Sequence, residues 1–136
     1  MRRRRSQMPL ERKEYPDIAP AGPTYSRAVK AGNMLFISGC TARGTPSQGK
    51  SMMEQLDVTL GRLVGVAAAE GAGPGNFAKL TCFVTSIADY QLDSQEQRAL
   101  FAKHFQEQYP ANSLIEISAL AEPGLDVEIE AIVILD

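Results

Sequence analysis

The stretch DVEIEAIVIL, residues 126–135, decides the fold class of this chain. Successive side chains of an extended strand point to opposite faces of the sheet, so residues 127, 129, 131, 133 and 135 share one apolar face. The other face carries Glu128 and Glu130, followed by Ile132 and Ile134. A strand with apolar side chains on both faces is typical of a sheet that is covered on both sides.

The residues before this strand predict the other elements. Residues 25–40 read as a hairpin, because Gly32-Asn33 suits the backbone angles of a tight turn. Apolar residues at steps of three and four predict a helix over residues 53–67. Residues 80–87 and 113–120 read as strands. Between them, a second helix is expected from the cap at Asp93 to Pro110.

The resulting order, β-β-α-β-α-β-β, predicts an α+β fold with a single mixed β-sheet and two helices packed on one face. Two helices cannot also cover the face that holds Phe83, Ile117 and the glutamates of the last strand. Oligomerisation is therefore expected to cover that second face.

The length of 136 residues and the content of 44% hydrophobic and 22% charged residues indicate one globular domain. Residues 1–13 hold six basic side chains and one acidic one, whereas the rest of the chain holds 8 basic and 15 acidic ones. Residues 1–18 are expected to form a basic N-terminal tail, and residues 19–136 the domain. Because the body is acidic, nucleic acid is an unlikely partner; the alternative is that the arginine run of the tail binds phosphates.

Several classes of chemistry are excluded by composition. Cys40 and Cys82 lie far apart and form no metal-binding spacing, so both are expected to be buried free thiols. His104 is the only histidine, which makes a catalytic triad or a multi-histidine metal site untenable. No metal or cofactor is predicted. No apolar run is long enough to span a membrane, and a cytoplasmic location is expected.

The glutamates of the last strand are the first candidates for chemistry. If their face were core, two unpaired carboxylates would be costly, so Glu128 or Glu130 is expected either to line a cleft and orient water or to lie at a solvated rim. Tyr25 offers a phenol to a pocket, or simply packs with its hydroxyl at the surface. Asn112 and Ser113, just after Pro110, offer neutral donors, or serve only the turn.

Several blocks of this sequence, in matching order, resemble one family. Residues 22–39 (GPTYSRAVKAGNMLFISG) resemble the GPYSQAVKAGN opening of the RidA/YjgF family of imine and enamine deaminases, formerly called endoribonuclease L-PSP. Residues 79–85, 89–90, 109–113 and 127–131 resemble its later blocks. The resemblance implies a chorismate-mutase-like subunit in a homotrimer, with the sheets forming a central barrel and a cleft for a small-molecule ligand between each pair of subunits.

The resemblance also implies a reaction. In active members an arginine in a Pro-Ala-Arg-Ser motif holds the substrate carboxylate, water attacks the imine carbon, and ammonia leaves. Here Asn112 stands at the arginine position and Leu114 at a position where many members have cysteine. The expected catalytic residues are Glu128 and Asn112, and the expected substrate-binding residues are Tyr25, Gly39, Ser113 and Arg43.

Two ways of compensating for the lost arginine are left open. Arg43 or Arg27 enters the cleft and restores the charge, or the pocket takes a different, neutral or amine-bearing ligand. The alternative to a deaminase is a non-catalytic trimer that binds a small metabolite.

Overall fold

The computed structural model describes residues 9–136; the run Arg2 to Arg5 lies outside the described residues. Nine elements follow along the chain, with one 3-10 turn at Pro74–Asn76. The strands are β1 (Glu11–Lys13), β2 (Ala28–Ala31), β3 (Met34–Cys40), β4 (Phe77–Val84), β5 (Ala111–Glu116) and β6 (Val127–Ile134). The helices are α1 (Met52–Ala69), α2 (Ile87–Leu92) and α3 (Ser94–Phe105).

The six strands form one mixed sheet in the order β1-β2-β3-β6-β4-β5. All neighbouring strands are antiparallel except β4 and β5, which are parallel. The last strand in sequence, β6, therefore lies in the middle of the sheet between β3 and β4. The prediction of an α+β fold with a single mixed sheet is confirmed.

The core lies between one face of the sheet and the helices. Helix α1 begins with a capping box, in which the Ser51 hydroxyl accepts the N–H of Glu54 at 3.2 Å. Its apolar stripe, including Leu56, Leu60 and Leu63, is fully buried. The alternate residues of β6 from Val127 to Val133 are buried on the same side, as the alternation predicted.

Three boundaries differ from the sequence predictions. The predicted second helix is two helices, because Ser86 caps α2 by accepting the N–H of Asp89 and Asp93 caps α3 by accepting the N–H of Glu96, each at 3.0 Å. The strand expected to reach residue 87 ends at Val84, where α2 replaces its last residue. The next strand covers residues 111–116 instead of 113–120.

The chain also joins the sheet earlier than expected. Residues 11–13, which were assigned to the tail, form the edge strand β1 and pair with β2. Tyr15 is buried, and its hydroxyl donates to Glu70 on the C-cap of α1 at 2.8 Å. Backbone pairing and this packing hold residues 11–18 to the domain.

The second face of the sheet carries no helix. Phe36, Ile115 and Ile134 on this open face are 40%, 42% and 36% exposed. Phe83 and Ile132 lie on the same face and are half-buried. An apolar surface of this kind on a sheet is the expected property of a subunit interface. Within residues 9–136, no helix is both long and apolar enough to cross a membrane.

Candidate functional site

Glu128 lies over a bulge in β3, and this contact defines the first candidate pocket. The pairing of β3 with β6 shifts register between Ile37 and Cys40, and such bulges re-aim the chain beside functional sites. The Glu128 side chain packs against Gly39, where an added Cβ would lie 2.7 Å from the Glu128 Cδ. Position 39 therefore requires glycine so that the carboxylate can approach the backbone.

The start of β6 is fixed by a buried amide two residues before the glutamate, at Asp126. Gln55 of α1 is fully buried and accepts the Asp126 N–H at 2.8 Å, while its Nε2 donates to an Asp126 carboxylate oxygen at 3.0 Å. The hydroxyl of Thr85 donates to the other carboxylate oxygen at 2.9 Å. These bonds tie β6 to α1 and β4, and hold Glu128 at a defined height on the sheet.

Arg27 organises the other wall of the pocket. Its side chain is buried, with the residue only 3% exposed. The guanidinium donates to the carbonyl oxygens of Ala19 at 2.9 Å, Pro20 at 3.0 Å, Ser38 at 3.1 Å and Gly39 at 3.0 Å. Because one planar fork reaches all four, it holds the segment before β2 against the β3 bulge.

Tyr25 caps the mouth of the same pocket. Its ring lies over Arg27, with the guanidinium carbon 5.5 Å from the ring centroid, and its hydroxyl accepts a 3.4 Å bond from Arg27 Nη2. The residue is 43% exposed, so one side of the ring remains available to a ligand. The cation beneath the ring fixes its orientation.

Two further arginines line this pocket. Arg43, in the loop after β3, donates to the Pro20 carbonyl at 3.2 Å and lies 3.9 Å from the Glu122 carboxylate. Arg62 comes from α1, and its Nη1 donates to the carbonyls of Thr41 at 2.8 Å and Arg43 at 3.0 Å. The residues that enclose the pocket, of about 50 Å³, include Tyr25, Arg27, Gly39, Cys40, Arg43, Arg62 and Glu128.

Burial governs the titration of this pocket. It raises the pKa of the Glu128 carboxyl, the negative charge of Glu130 raises it further, and Arg27 acts in the opposite direction with a smaller effect. Burial likewise raises the pKa of the Cys40 thiol, against the influence of Arg27 and Arg62. Glu128 is thus a carboxyl that binds a proton more tightly than usual, and Cys40 stays a thiol.

Asn112 lines a different cavity, a groove of about 480 Å³ between α3 and the edge strand β5. Its amide oxygen accepts a 3.3 Å bond from the thiol of Cys82, whose pKa is raised to about 11, chiefly by burial. The other lining residues are mainly aromatic or apolar, with Arg98 as the single charge: Tyr90, Gln97, Arg98, Phe101, Tyr109, Pro110 and Leu114.

Within one chain the two cavities do not meet. Asn112 pairs with Leu80 on the helix-covered face, whereas Glu128 pairs with Phe83 on the open face. Ser113 belongs to neither cavity: it lies on the open face, where its hydroxyl accepts a 2.9 Å bond from Lys79. Of the predicted site residues, Glu128, Tyr25, Gly39 and Arg43 lie together, and Asn112 and Ser113 lie apart from them.

Comparison with known proteins assigns the chain to a family. A family model described as Endoribonuclease L-PSP matches residues 17–135, nearly the whole chain. The chain belongs to this family. It is the RidA/YjgF family that the sequence blocks resemble, and the fold described above agrees with its known members.

Three relatives illustrate the match. A RutC family protein, y4sK of Sinorhizobium fredii, is 32% identical over 118 residues, covering 84% of this chain and 88% of the relative. Reactive Intermediate Deaminase A, chloroplastic, of Arabidopsis thaliana is 32% identical over 123 residues, covering 86% of this chain and 62% of the relative. The crystal structure of RidA from an Antarctic Psychrobacter has a TM-score of 0.76 at 26% identity and covers 92% of this chain and 100% of that one.

These relatives give the RidA/YjgF chain a general association with reactive-intermediate deamination, since that is the name one of them carries. The chloroplastic relative leaves the cytoplasmic location of this chain a prediction. Both cysteines are free and buried, as predicted. No group of three or more His, Cys, Asp or Glu side chains within residues 9–136 is arranged to hold a metal ion.

Sequence reasoning missed Arg62. The residue lies on α1, 19 positions beyond Arg43, and its only sequence property is that of a basic residue on a helix with an apolar stripe. Only the packing of α1 against the loop after β3 brings its guanidinium to the Glu128 pocket. No local pattern distinguishes such an arginine from a solvated one.

Proposed function

We propose that the protein is a homotrimeric hydrolase that deaminates a small imine or enamine and releases ammonia. The observation that carries this proposal is Glu128, a partly buried carboxyl with a raised pKa, packed against Gly39 beside Tyr25 and three arginines. Membership of a family that includes a reactive intermediate deaminase supports the reaction class.

The reaction needs one water and one group that moves protons. Glu128 takes a proton from water as the water oxygen attacks the imine carbon, and the imine nitrogen becomes an amine. The carboxyl then returns the proton to that nitrogen, the C–N bond breaks, and a carbonyl compound and ammonia leave. An enamine first takes a proton at carbon and so becomes the imine.

The environment of Glu128 suits this role. A raised pKa brings a carboxyl closer to the working pH, where it both accepts and donates protons efficiently. No donor within residues 9–136 lies within hydrogen-bonding distance of its oxygens, so they are free to bond a water molecule. Tyr25 and the Gly39 backbone orient the substrate from either side.

The trimer is proposed for two reasons. The open sheet face carries Phe36, Ile115 and Ile134, which a barrel of three sheets would bury. The Asn112 groove and the Glu128 pocket lie on opposite faces of one subunit, so a shared cleft between neighbouring subunits would bring Asn112 and Leu114 of one to Glu128 of the other. Ser113 would then help to align the edge of that cleft.

The experiment is ammonia release from imines generated in the assay by an amino acid oxidase. Glu128→Gln keeps the shape and removes the proton carrier, so it should lower the rate by about 100-fold or more. Glu11→Gln, on the exposed edge strand, is the matched control and should retain the parent rate. No release above buffer by the parent protein, or full activity of Glu128→Gln, would refute the proposal.

Glu130→Gln tests the electrostatics of the same site. The Glu130 carboxylate raises the pKa of Glu128, so its removal should move the pH–rate profile to lower pH while leaving the plateau rate near that of the parent. A profile that stays in place would mean that Glu128 is not the titrating group.

The alternative is a trimer that binds a small metabolite without turning it over. Asn112 favours it, because a neutral amide that accepts the Cys82 thiol supplies no charge to hold a carboxylate. Asn112→Arg distinguishes the two: a gain of ammonia release from an inactive parent would support the binding trimer, and an active parent would exclude it.

A further inference from the structure

The Glu128 pocket holds an unusual charge balance. Three guanidinium groups, those of Arg27, Arg43 and Arg62, line it together with a single carboxylate. Within residues 9–136, no carboxylate oxygen lies within 4.0 Å of Arg27 or Arg62, and the nearest one to Arg43 is that of Glu122 at 3.9 Å. Positive charge thus accumulates in a confined volume without close counter-ions.

The three arginines differ in what they can still bind. Arg27 has donated to four carbonyl oxygens, so it acts through its charge and holds the wall in place. Arg62 uses only Nη1 for protein acceptors, and its Nε and Nη2 have none within residues 9–136. Arg43 has one 3.2 Å bond to a carbonyl and a loose contact to Glu122.

Arg62 carries an electrostatic cost in this arrangement. Burial lowers the pKa of its guanidinium, and the charges of Arg27 and Arg43 lower it further, while Cys40 acts in the opposite direction. A half-buried cation beside two others is stabilised by any anion that enters the pocket. The pocket volume of about 50 Å³ suits a carboxylate rather than a bulky phosphate ester.

We propose that Arg62 and Arg43 form an anion-binding subsite that holds the carboxylate of the substrate. The proposal rests on the proposed function, because it takes the ligand of the Glu128 pocket to be the substrate. It assigns to the β3–α1 side of the pocket the charge that Asn112 does not offer on β5. The substrate class that follows is 2-imino acids and their enamine tautomers.

The geometry supports a division of labour within the pocket. The carboxylate would bond the free donors of Arg62 and Arg43, and the adjoining imine carbon would then lie toward Glu128 and its water. Glu128 forms no ion pair with either arginine within 4.0 Å, so the ligand and the proton carrier do not compete for the same donors. Arg27 is a positioning residue, since it holds the Pro20 carbonyl that Arg43 also contacts.

Calorimetric titration with pyruvate and its neutral amide, pyruvamide, tests the subsite. Pyruvate has the carboxylate of the expected product type, so it should bind at least tenfold more tightly than pyruvamide and more weakly at high salt. Arg62→Ala and Arg43→Ala should each weaken pyruvate binding by about 10- to 100-fold. Arg62→Lys should fall between, because an ammonium keeps the charge but not the fork.

Lys103→Ala is the control, because Lys103 pairs with Asp57 on the outer surface of the helices. It should bind pyruvate like the parent. Circular dichroism verifies folding, and if Arg62→Ala does not fold, the more exposed Arg43→Ala decides. Equal affinity for pyruvate and pyruvamide, no pyruvate binding by the parent, or unchanged affinity in both arginine variants would overturn the proposal. So would a loss confined to Arg98→Ala, which would place the anion in the Asn112 groove.

The outcomes separate this inference from the proposed function. Ammonia release that needs Glu128 but ignores Arg43 and Arg62 would keep the hydrolase and discard the anion subsite. Arginine-dependent pyruvate binding without ammonia release would keep the subsite and discard the hydrolase.

Discussion

Replacing Arg27 by alanine should destabilise the folded protein by about 2–4 kcal/mol. The substitution removes the donor for the carbonyls of Ala19, Ser38 and Gly39, whereas the Pro20 carbonyl keeps its bond from Arg43. Each buried acceptor left without a partner costs about 1–3 kcal/mol. Removing a buried charge that has no close counter-ion returns part of this cost, which leaves the lower figure.

Urea denaturation followed by circular dichroism measures the change. Parent and variant should be compared at one protein concentration, because any association of subunits contributes to the apparent stability. Arg27→Lys serves as the geometric variant: it keeps the charge, but one ammonium cannot reach acceptors on both sides of the pocket. It should therefore lose nearly as much stability as Arg27→Ala.

The control is Lys103→Ala, a surface change that should stay within about 0.5 kcal/mol of the parent. If Arg27→Ala unfolds within about 1 kcal/mol of the parent, then water or other donors satisfy the three carbonyls, and Arg27 does not hold the pocket wall. If Arg27→Lys is as stable as the parent, charge and not the planar fork is what matters.

Three other predictions follow from the same structure. Glu128→Gln should raise the urea midpoint at neutral pH, because the folded state raises the pKa of Glu128 and so disfavours its charge; the gain should vanish as the pH falls below the ordinary glutamate pKa, where both states are protonated. An equal gain at pH 3.5 and pH 7, roughly one unit below and well above that pKa, would contradict it. Gly39→Ala should lower kcat/KM by about tenfold or more with little change in unfolding midpoint, since the new methyl displaces the Glu128 carboxylate; the reverse pattern would argue against a catalytic position. Phe36→Asp should shift the mass measured by light scattering from trimer to monomer, because it places a charge in the open apolar face, and an unchanged mass would exclude that face as the interface.

The family and the fold were accessible from sequence because both depend on local patterns. The alternation in β6, the Gly32-Asn33 turn and the stripe of α1 each report a repeating backbone geometry, and the structure confirms all three. The break at Asp93 was missed because Ser86 and Asp93 both cap helices, and the strand-like residue Ile87 concealed the first of them.

The site was accessible only in part. The resemblance indicated Tyr25, Gly39 and Glu128, and the structure brings them to one pocket. Arg27 was considered as a ligand contact, yet the structure has its donors occupied by backbone carbonyls. Such a role depends on where two distant segments meet, and nothing in the letters around Arg27 expresses it.

The sequence by itself determined the strands, the long helix, the family and the glutamate on β6, because these depend on periodicity and short motifs that neighbouring residues define. The tertiary structure alone decided that Asn112 and Glu128 face opposite sides of the sheet, and that Arg62 of α1 joins Arg43 at the β3 bulge. The reason is physical. Strand order and helix packing are set by burial of apolar faces across the whole chain, so charges far apart in sequence meet wherever that packing places them.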